Sequence, residues 1–468
     1  MRQGSIGRHV WLTAFALVEC IFMQTNAAAQ SPGSGTLTLN DAIQLALKNY
    51  PAIKESRARA QAAEEGVGVA RTAYLPRLDL IWQENRATTN NVFGLLLPQP
   101  VVTAISGPVL GTRSLGNSVW GSAAGVLLSW DAIDFGQRKA GVDVARAQIA
   151  LARNQTALTE LDVASAAADA FLTVLAAEES VRATRANVDR LQVFTNTVST
   201  LVRNQLRPGA DQSRAEAELA VSRNQLSQAV QIAEVARATL ADAIGSAGTP
   251  LELASGPLAA VPQFTIEPSD AKSHPAARAG QATVDIVRAR ERSLDRAYFP
   301  KITFQSAFAA RGTGAEAPGV PSFGNGLWLH VPNWALGASV TFPALDVFAI
   351  TARKRVEVQN ELAENAHYER TIQALTTQDA KARALMKAAT EIAGNTPIER
   401  QAATAAESQA RARYQNGLAG VIEVAEAQRL LAQAEADDAV ARLGVWRALL
   451  ATAQAHGDLA PFLEQVRR

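Results

Sequence analysis

Asn49-Tyr50-Pro51-Ala52, followed by Ala73-Tyr74-Leu75-Pro76-Arg77-Leu78, forms a pattern that occurs twice in this chain. The second copy runs from Ser273-His274-Pro275-Ala276 to Ala297-Tyr298-Phe299-Pro300-Lys301-Ile302. In both copies the second proline lies 25 positions after the first, and the Ala/Arg/Glu-rich run between them contains no proline. After the second proline the apolar spacing changes from helical to alternating. A helix that leads into a strand, present twice, predicts a chain of two similar halves.

Later parts of the chain repeat at a spacing of 212 residues. Trp130 and Asp134 recur as Phe342 and Asp346. The proline motif recurs at a spacing of 224 residues, so the first half carries 12 extra residues between its strands. A length of 468 residues would allow two or three ordinary domains. A tandem duplication of long helices instead predicts one extended structure.

The repeat divides the chain into five parts, in which each repeat is predicted as helix, strand, strand, long helix and return helix. The parts are a signal peptide at 1–29, a first repeat at 30–245, a linker at 246–273, a second repeat at 274–456 and a C-terminal tail at 457–468. Strands are predicted at about 75–88, 118–131, 300–311 and 333–343, and the long helical hairpins at 137–245 and 350–456. The run 137–203 contains no proline and would span roughly 100 Å as a helix. Gly394 and Pro397 predict a break in its counterpart.

The start of the chain predicts export. Arg2 and Arg8 precede an apolar run, and Ala27-Ala28-Ala29 offers small residues for cleavage, as in a secretory signal peptide. Glu19 directly before Cys20 argues against a lipid anchor. Without residues 1–29 the formal charge changes from +1 to 0 and no cysteine remains, which excludes disulfide and thiol chemistry. A near-neutral charge gives no basis for a nucleic-acid partner.

The four predicted strands alternate between a large apolar face and a smaller, more polar one. Leu78, Leu80 and Trp82 share one face in the first strand, as do Trp334 and Leu336 in the fourth. A half-buried soluble sheet would give the same alternation. Aromatic residues at the ends of the apolar faces favour lipid, as in an interfacial girdle.

Four strands are too few to close a membrane barrel, which needs about eight. Open strand edges leave backbone groups unpaired, and hydrocarbon offers them no water. The chain is therefore predicted to oligomerise, with eight strands in two copies or twelve in three. No run after the signal peptide reaches the ~20 apolar residues of a membrane helix.

Several motifs in order resemble the TolC-like outer membrane efflux proteins of Gram-negative bacteria. They are Leu37-Thr38-Leu39-x-x-Ala42-Ile43, the Tyr-Leu-Pro and Tyr-Phe-Pro junctions, Ile133-Asp134-Phe135-Gly136-Gln137-Arg138, and Arg413-Tyr414-x-x-Gly417-Leu418. The resemblance covers nearly all of the chain after the signal peptide. The second half departs from it with Phe348 where the first half has Gly136.

The resemblance implies a homotrimer that forms a 12-stranded β-barrel in the outer membrane, continuous with a 12-helix α-barrel in the periplasm. A periplasmic adaptor and an inner-membrane transporter, of RND or ABC type, would open it. The implied periplasmic gate residues are Asp211, Glu423, Glu426, Arg207, Arg413 and Tyr414. The implied adaptor-docking residues at the tips are Asn204, Gln205, Leu206, Asn416, Gly417 and Leu418. The simpler alternatives are helix-start charges for the carboxylates, exposed turn side chains for Arg207, Arg413 and Tyr414, and ordinary turn chemistry for the docking residues.

No enzyme site is predicted, and neither a cofactor nor a metal is expected. His274, His330, His367 and His456 lie in separate segments without metal-ligand spacing. The chain also contains no phosphate-binding glycine motif. The favoured function is therefore a passive duct for tripartite efflux or type I secretion. The alternative is a periplasmic coiled-coil adaptor without a membrane barrel, which would lack the paired strands and the duplication. A hydrolase on a barrel has no visible nucleophile–base set here. The exported substrate stays open.

Overall fold

The computed structural model describes residues 36–88, 118–249, 252–254, 256–262, 270–314 and 326–467. The predicted signal peptide at 1–29 lies outside these residues. So do residues 91–117 and 315–325, which connect the predicted strands of each half, and parts of the predicted linker at 246–273.

Both halves contain a helix, two strands, a long helix and a return helix in the same order, and α1 precedes this set in the first half. The first half consists of α1 (Leu39–Asn49), α2 (Pro51–Thr72), β1 (Arg77–Thr88), β2 (Ser118–Ile133), α3 (Gln137–Arg203) and α4 (Gly209–Ala243). The second half consists of α5 (Pro275–Arg296), β3 (Lys301–Thr313), β4 (Val331–Thr341), α6 (Asp346–Gln415) and α7 (Val421–His456), followed by α8 (Ala460–Arg467). Short 3-10 turns at Gly256–Ala259 and Ala271–Ser273 lie between the halves.

The repeated proline motif starts a helix in each half. Pro51 and Pro275 occupy the first turns of α2 and α5, where the missing N–H has no intrahelical partner to lose. The residues before them, Tyr50 and His274, are extended at ψ 130° and 138°. Steric contact with the proline ring favours this extended conformation. The helix starts are thus local consequences of the sequence.

The predicted break in the second long helix is wrong. Helix α6 continues through Pro397 over 70 residues, and α3 has 67, so each spans roughly 100 Å. A proline inside a helix removes one hydrogen bond and crowds the preceding turn. Packing against α7 holds α6 together at this level, where buried Thr396 donates to Asp438 at 3.4 Å.

Some element ends differ from the sequence-based bounds. Helix α6 begins at Asp346, four residues before the predicted start at 350, and β4 covers Val331–Thr341 where 333–343 was expected. The tail forms α8 and buries Phe462 and Val466.

The helices form a layer four helices wide. Towards the sheet α3 packs between α2 and α5, and α5 packs on α6. Towards the other end α3 packs between α4 and α7, and α7 packs on α6. Helices α3 and α6 therefore run the full length of the layer. No helix in the described ranges combines the length and apolarity that crossing a membrane requires.

The main hydrophobic core lies midway along the layer, where α1, α8 and the connecting segments wrap around it. Trp446 of α7 is buried there against Phe462, with ring centroids 6.2 Å apart. The Trp446 Nε1–H donates to the carbonyl of Ala260 at 2.9 Å. Leu37 forms a parallel bridge with Leu253, which ties the start of the described chain to the connection between the halves.

The four strands form one antiparallel sheet in the order β1-β2-β3-β4, so the pairing of β2 with β3 joins the two halves. One register row across all four strands consists of Leu80, Val126, Phe308 and Trp334. All four side chains are exposed, and Trp334 is 78% exposed. The other face carries small and polar residues, including Thr303, which donates to Asp131 at 2.6 Å. The sheet thus presents its large apolar side chains outward, with no protein covering them in the described residues.

Candidate functional site at the helix tips

The layer ends in two turns opposite the sheet. The first tip turn, residues 204–208, joins α3 to α4, and the second tip turn, residues 416–420, joins α6 to α7. Leu206 N–H donates to the carbonyl of Leu201 at 2.9 Å, and Leu418 N–H donates to that of Arg413 at 2.8 Å. These bonds close the helix ends in the same manner, so the two turns have matching geometry.

One residue in each turn has a left-handed backbone. Gly417 has φ +76°, and Gln205 has φ +58° at the same position of the first turn. Asn204 and Asn416 precede them, and each side-chain amide donates to the carbonyl four residues earlier, at 3.0 and 2.8 Å. The left-handed conformation suits glycine and disfavours glutamine.

The two tips are joined by Arg207 and Tyr414. The Arg207 Nη2 donates to the carbonyl of Tyr414 at 2.9 Å, and the guanidinium lies 4.5 Å from the centroid of the Tyr414 ring. Tyr414 is buried and packs edge-on against Phe194, with 5.4 Å between centroids. Arg207 and Tyr414 therefore contact each other within one chain, and the Tyr414 ring belongs to an apolar cluster beneath the tips.

Asp211 lies close enough to Tyr414 to influence its ionisation. Burial raises the pKa of the Tyr414 hydroxyl, the Asp211 carboxylate raises it further, and the Arg207 guanidinium lowers it. The hydroxyl has no hydrogen-bond partner within the described part of the chain. The Tyr414 phenol therefore stays uncharged at neutral pH.

The predicted gate carboxylates lie at the starts of the return helices. Asp211 is half-buried in the first turn of α4, and Glu423 is exposed in the first turn of α7. Arg413 Nε lies 3.8 Å from Glu423 Oε2, an exposed pair that contributes little to stability. Glu426 is exposed one turn further along. Carboxylates at these positions complement the helix dipoles.

The predicted docking residues form the outermost surface of the tips. Asn204, Gln205, Asn416 and Gly417 are exposed. Leu206 and Leu418 occupy equivalent positions and are 68% and 71% exposed. Two apolar side chains at matching positions give the tips an uncovered apolar surface.

Sequence reasoning missed two ion pairs that join the hairpins above the tips. Arg190 of α3 donates to both carboxylate oxygens of Glu435 of α7, at 3.1 and 2.7 Å. Arg429 of α7 donates to Glu218 of α4 at 3.1 Å. Neither pair belongs to a motif or lies at helical spacing, so no sequence signal could have indicated them. Among the described residues, no group of His, Cys, Asp and Glu is arranged to hold a metal ion.

One part of the chain matches a known protein family. Residues 42–246 match the family described as Outer membrane efflux protein. The match covers less than half of the chain, and in this part the chain is similar to the TolC-like outer membrane efflux proteins.

The fold of the chain is also found in solved structures. The chain is similar to CusC, with 15% identity over 92% of this chain and 96% of that one, at a TM-score of 0.74. It is similar to the MtrE outer membrane channel of Neisseria gonorrhoeae, with 20% identity over 90% and 89% of the chains, at a TM-score of 0.70. At these identities the likeness establishes the fold.

A curated relative is more similar in sequence. Protein CyaE of Bordetella pertussis is 29% identical over 274 residues, which are 54% of this chain and 52% of the relative. The chain thus spans about half the length of the curated relative it matches.

Proposed function

We propose that three copies of this chain form a passive duct through the outer membrane and the periplasm, which serves as the channel of a tripartite efflux or type I secretion system. The observation that carries the proposal is the pair of open sides that one chain presents. The first open side consists of β1 with α2 and α4, and the second consists of β4 with α6.

The edge strands of the sheet are continuous in sequence with the edge helices of the helical layer. Strand β1 follows α2 directly, and β4 leads into α6. The outer edges of β1 and β4 have no strand partner among the described residues. The same sides of the helical layer are uncovered, because α2 and α4 pack on α3 and α6 packs on α5 and α7. A second copy placed beside the first would therefore extend the sheet and the helical layer together.

Exposed apolar side chains line both open sides of the helical layer. Ile232 and Val235 of α4 are each 60% exposed, and Leu362 and Ile398 of α6 are similarly uncovered. Such residues favour burial against another surface, at about 25 cal/mol per Å² of apolar area. The first open side of one copy would contact the second open side of the next copy. The same head-to-tail contact then repeats from copy to copy until the ring closes.

The membrane requires more than one copy of the chain. The strands contain 11 to 16 residues, enough to cross a bilayer when tilted. Hydrocarbon does not tolerate the open edges of a four-stranded sheet. Two copies would give eight strands and three give twelve; the resemblance to the TolC-like family supports three. The helices then form a tunnel of twelve.

The tips supply the control of passage in this proposal. Threefold symmetry gathers Asp211, Glu423 and Glu426 around the periplasmic end. Arg207 and Tyr414 hold the two hairpins together there, and Arg413 pairs with Glu423. A periplasmic adaptor would dock on the exposed tip residues, including Leu206 and Leu418, and an inner-membrane transporter of RND or ABC type would supply the energy and choose the substrate.

Purification from the outer membrane tests the proposal. Native mass spectrometry in detergent is expected to give a mass three times that of one chain, and planar bilayers are expected to show discrete channels. A stable monomer or dimer would contradict the trimer. A soluble periplasmic protein without channel activity would support the adaptor alternative instead.

A matched pair of variants tests which face of the sheet meets lipid. Leu80→Arg places a charge on the outward face, where it costs about 2–4 kcal/mol near the bilayer midplane. Gln83→Arg places the same charge on the opposite face of the same strand. We expect Leu80→Arg to reduce assembled trimer in the outer membrane and Gln83→Arg to leave it near the native level; equal effects would contradict the assignment of faces.

A further inference from the structure

We propose that His274 is a proton-sensitive joint between the start of α5 and the end of α7, which holds while its imidazole is neutral and loosens when the imidazole gains a proton. The proposal rests on geometry midway along the helical layer and is independent of the tip gate.

Both ring nitrogens of His274 are committed to backbone partners. Nδ1 accepts from the N–H of Ala276 at 3.1 Å and so caps α5. Nε2 lies 3.1 Å from the carbonyl of Gln454, near the end of α7. A nitrogen that accepts carries no proton, and a nitrogen that faces a carbonyl must carry one. The contacts therefore select the neutral Nε2–H tautomer.

The His274 ring is too closely surrounded to rotate towards other hydrogen-bond partners. His274 is 5% exposed. Gly457, at φ +76°, ends α7 next to it, and a Cβ built on Gly457 would lie 2.7 Å from His274 Cδ2. Gly457 N–H donates to the same Gln454 carbonyl at 3.0 Å. The imidazole is thus enclosed by the glycine and by the backbone it joins.

A second proton would break one of these contacts. Protonated Nδ1 would direct an N–H at the N–H of Ala276, so the cap would be lost. A positive ring at a helix N-terminus also opposes the helix dipole. The first turn of α5 would then lose its attachment to α7.

The surrounding charges do not reverse this preference. Burial lowers the pKa of His274; the Gln454 carbonyl and the Asp162 carboxylate of α3 raise it, and Arg278 of α5 lowers it. Burial raises the pKa of Asp162, and the charge of His274 lowers it. On the other elements, His456 of α7 is engaged with Asp379 of α6 at 2.9 Å, and Asp270 of the preceding 3-10 turn accepts from the Lys272 N–H at 2.9 Å.

The direction of the pH effect follows from the lowered pKa. The unfolded chain takes up a proton near pH 6.5, and the folded joint does so only at lower pH. The joint is therefore fully stable above about pH 6.5 and loses stability as the pH falls through that value towards the folded pKa.

Amide hydrogen exchange of the purified trimer, measured from pH 7.5 to 5.0 and corrected for intrinsic rates, tests the joint. Residues 276–282 at the start of α5 are expected to lose protection several-fold on acidification. The start of α2 is an internal control, because Tyr50 occupies the position of His274 there and makes no side-chain cap bond.

The variant His274→Asn completes the test. Asparagine supplies a good capping oxygen and does not titrate in this range. We expect the variant to keep its protection at α5 across the pH range. Protection at α5 that does not fall in the native protein, or an equal fall in His274→Asn or at the start of α2, would overturn the proposal.

Discussion

Arg207 and Tyr414 lie 207 positions apart, yet the guanidinium of Arg207 donates to the backbone carbonyl of Tyr414 at 2.9 Å and stacks on its ring at 4.5 Å. This contact joins the first tip turn to the last turn of α6. It combines a charge-assisted hydrogen bond with a cation–π contact, together on the order of 2–3 kcal/mol.

Arg207→Ala is expected to release the first tip from the second and to raise the conductance of the resting channel in planar bilayers. Arg203→Ala is the matched control, because among the described residues the Arg203 side chain donates only to Ser199 and Thr200 of its own helix. Native conductance in Arg207→Ala, or an equal rise in both variants, would show that the contact does not hold the tips closed.

The double variant Asp211→Ala/Glu423→Ala is expected to lose preference for cations and block by multivalent cations. In the proposed trimer six such carboxylates would surround one opening, and crowded like charges create a negative potential. The fold should persist, because helix-start charges contribute only ~0.3–1 kcal/mol each. Reversal potentials in a salt gradient give the selectivity. Glu216→Ala, one turn further along α4, is the control. Unchanged selectivity in the double variant would leave these residues as helix starts alone.

Trp446→Ala is expected to destabilise the midway core by about 3–5 kcal/mol, because it opens a large cavity and removes the donor to Ala260. Trp334→Ala is the control, since Trp334 is 78% exposed on the outward face of the sheet. Thermal unfolding in detergent, followed by the helical circular dichroism signal, measures both. Similar midpoints for the two variants would contradict the position of the core.

The two left-handed tip residues predict opposite effects of exchange. Gln205→Gly should stabilise its turn by about 0.5–1 kcal/mol, since the left-handed strain of ~1–2 kcal/mol exceeds the entropic cost of glycine. Gly417→Ala should destabilise the other turn by a similar amount through backbone strain alone, as nothing lies within 4 Å of the added Cβ. Amide exchange at the ends of α3 and α6 measures both changes. A loss of protection in Gln205→Gly would refute the assigned turn geometry.

The sequence alone indicated the elements that depend on near neighbours. The two proline motifs mark the starts of α2 and α5, and alternation marks strands such as β1 and β4. The tips were located from turn residues such as Asn416-Gly417. Each of these signals acts within a few residues, through backbone sterics and through the side-chain periods of helices and strands.

Tertiary packing determined features that local sequence preferences predict wrongly or not at all. Pro397 predicts a break, but contact with α7 keeps α6 continuous, because tertiary contacts outweigh a local preference of ~3 kcal/mol. Arg190 and Glu435 form an ion pair although they lie 245 positions apart, and neither segment contains a sequence pattern that indicates it.

The sequence by itself determined a duplicated chain with long helices, apolar-faced strands and two similar tips. Only the tertiary structure decided that β2 pairs with β3, that Arg207 meets Tyr414, and that His274 joins α5 to α7. The physical reason is distance along the chain. Thr303 and Asp131 are 172 positions apart, and His274 and Gln454 are 180 apart. Contacts over such separations depend on how whole helices and strands pack, and no residue pattern within one segment encodes that arrangement.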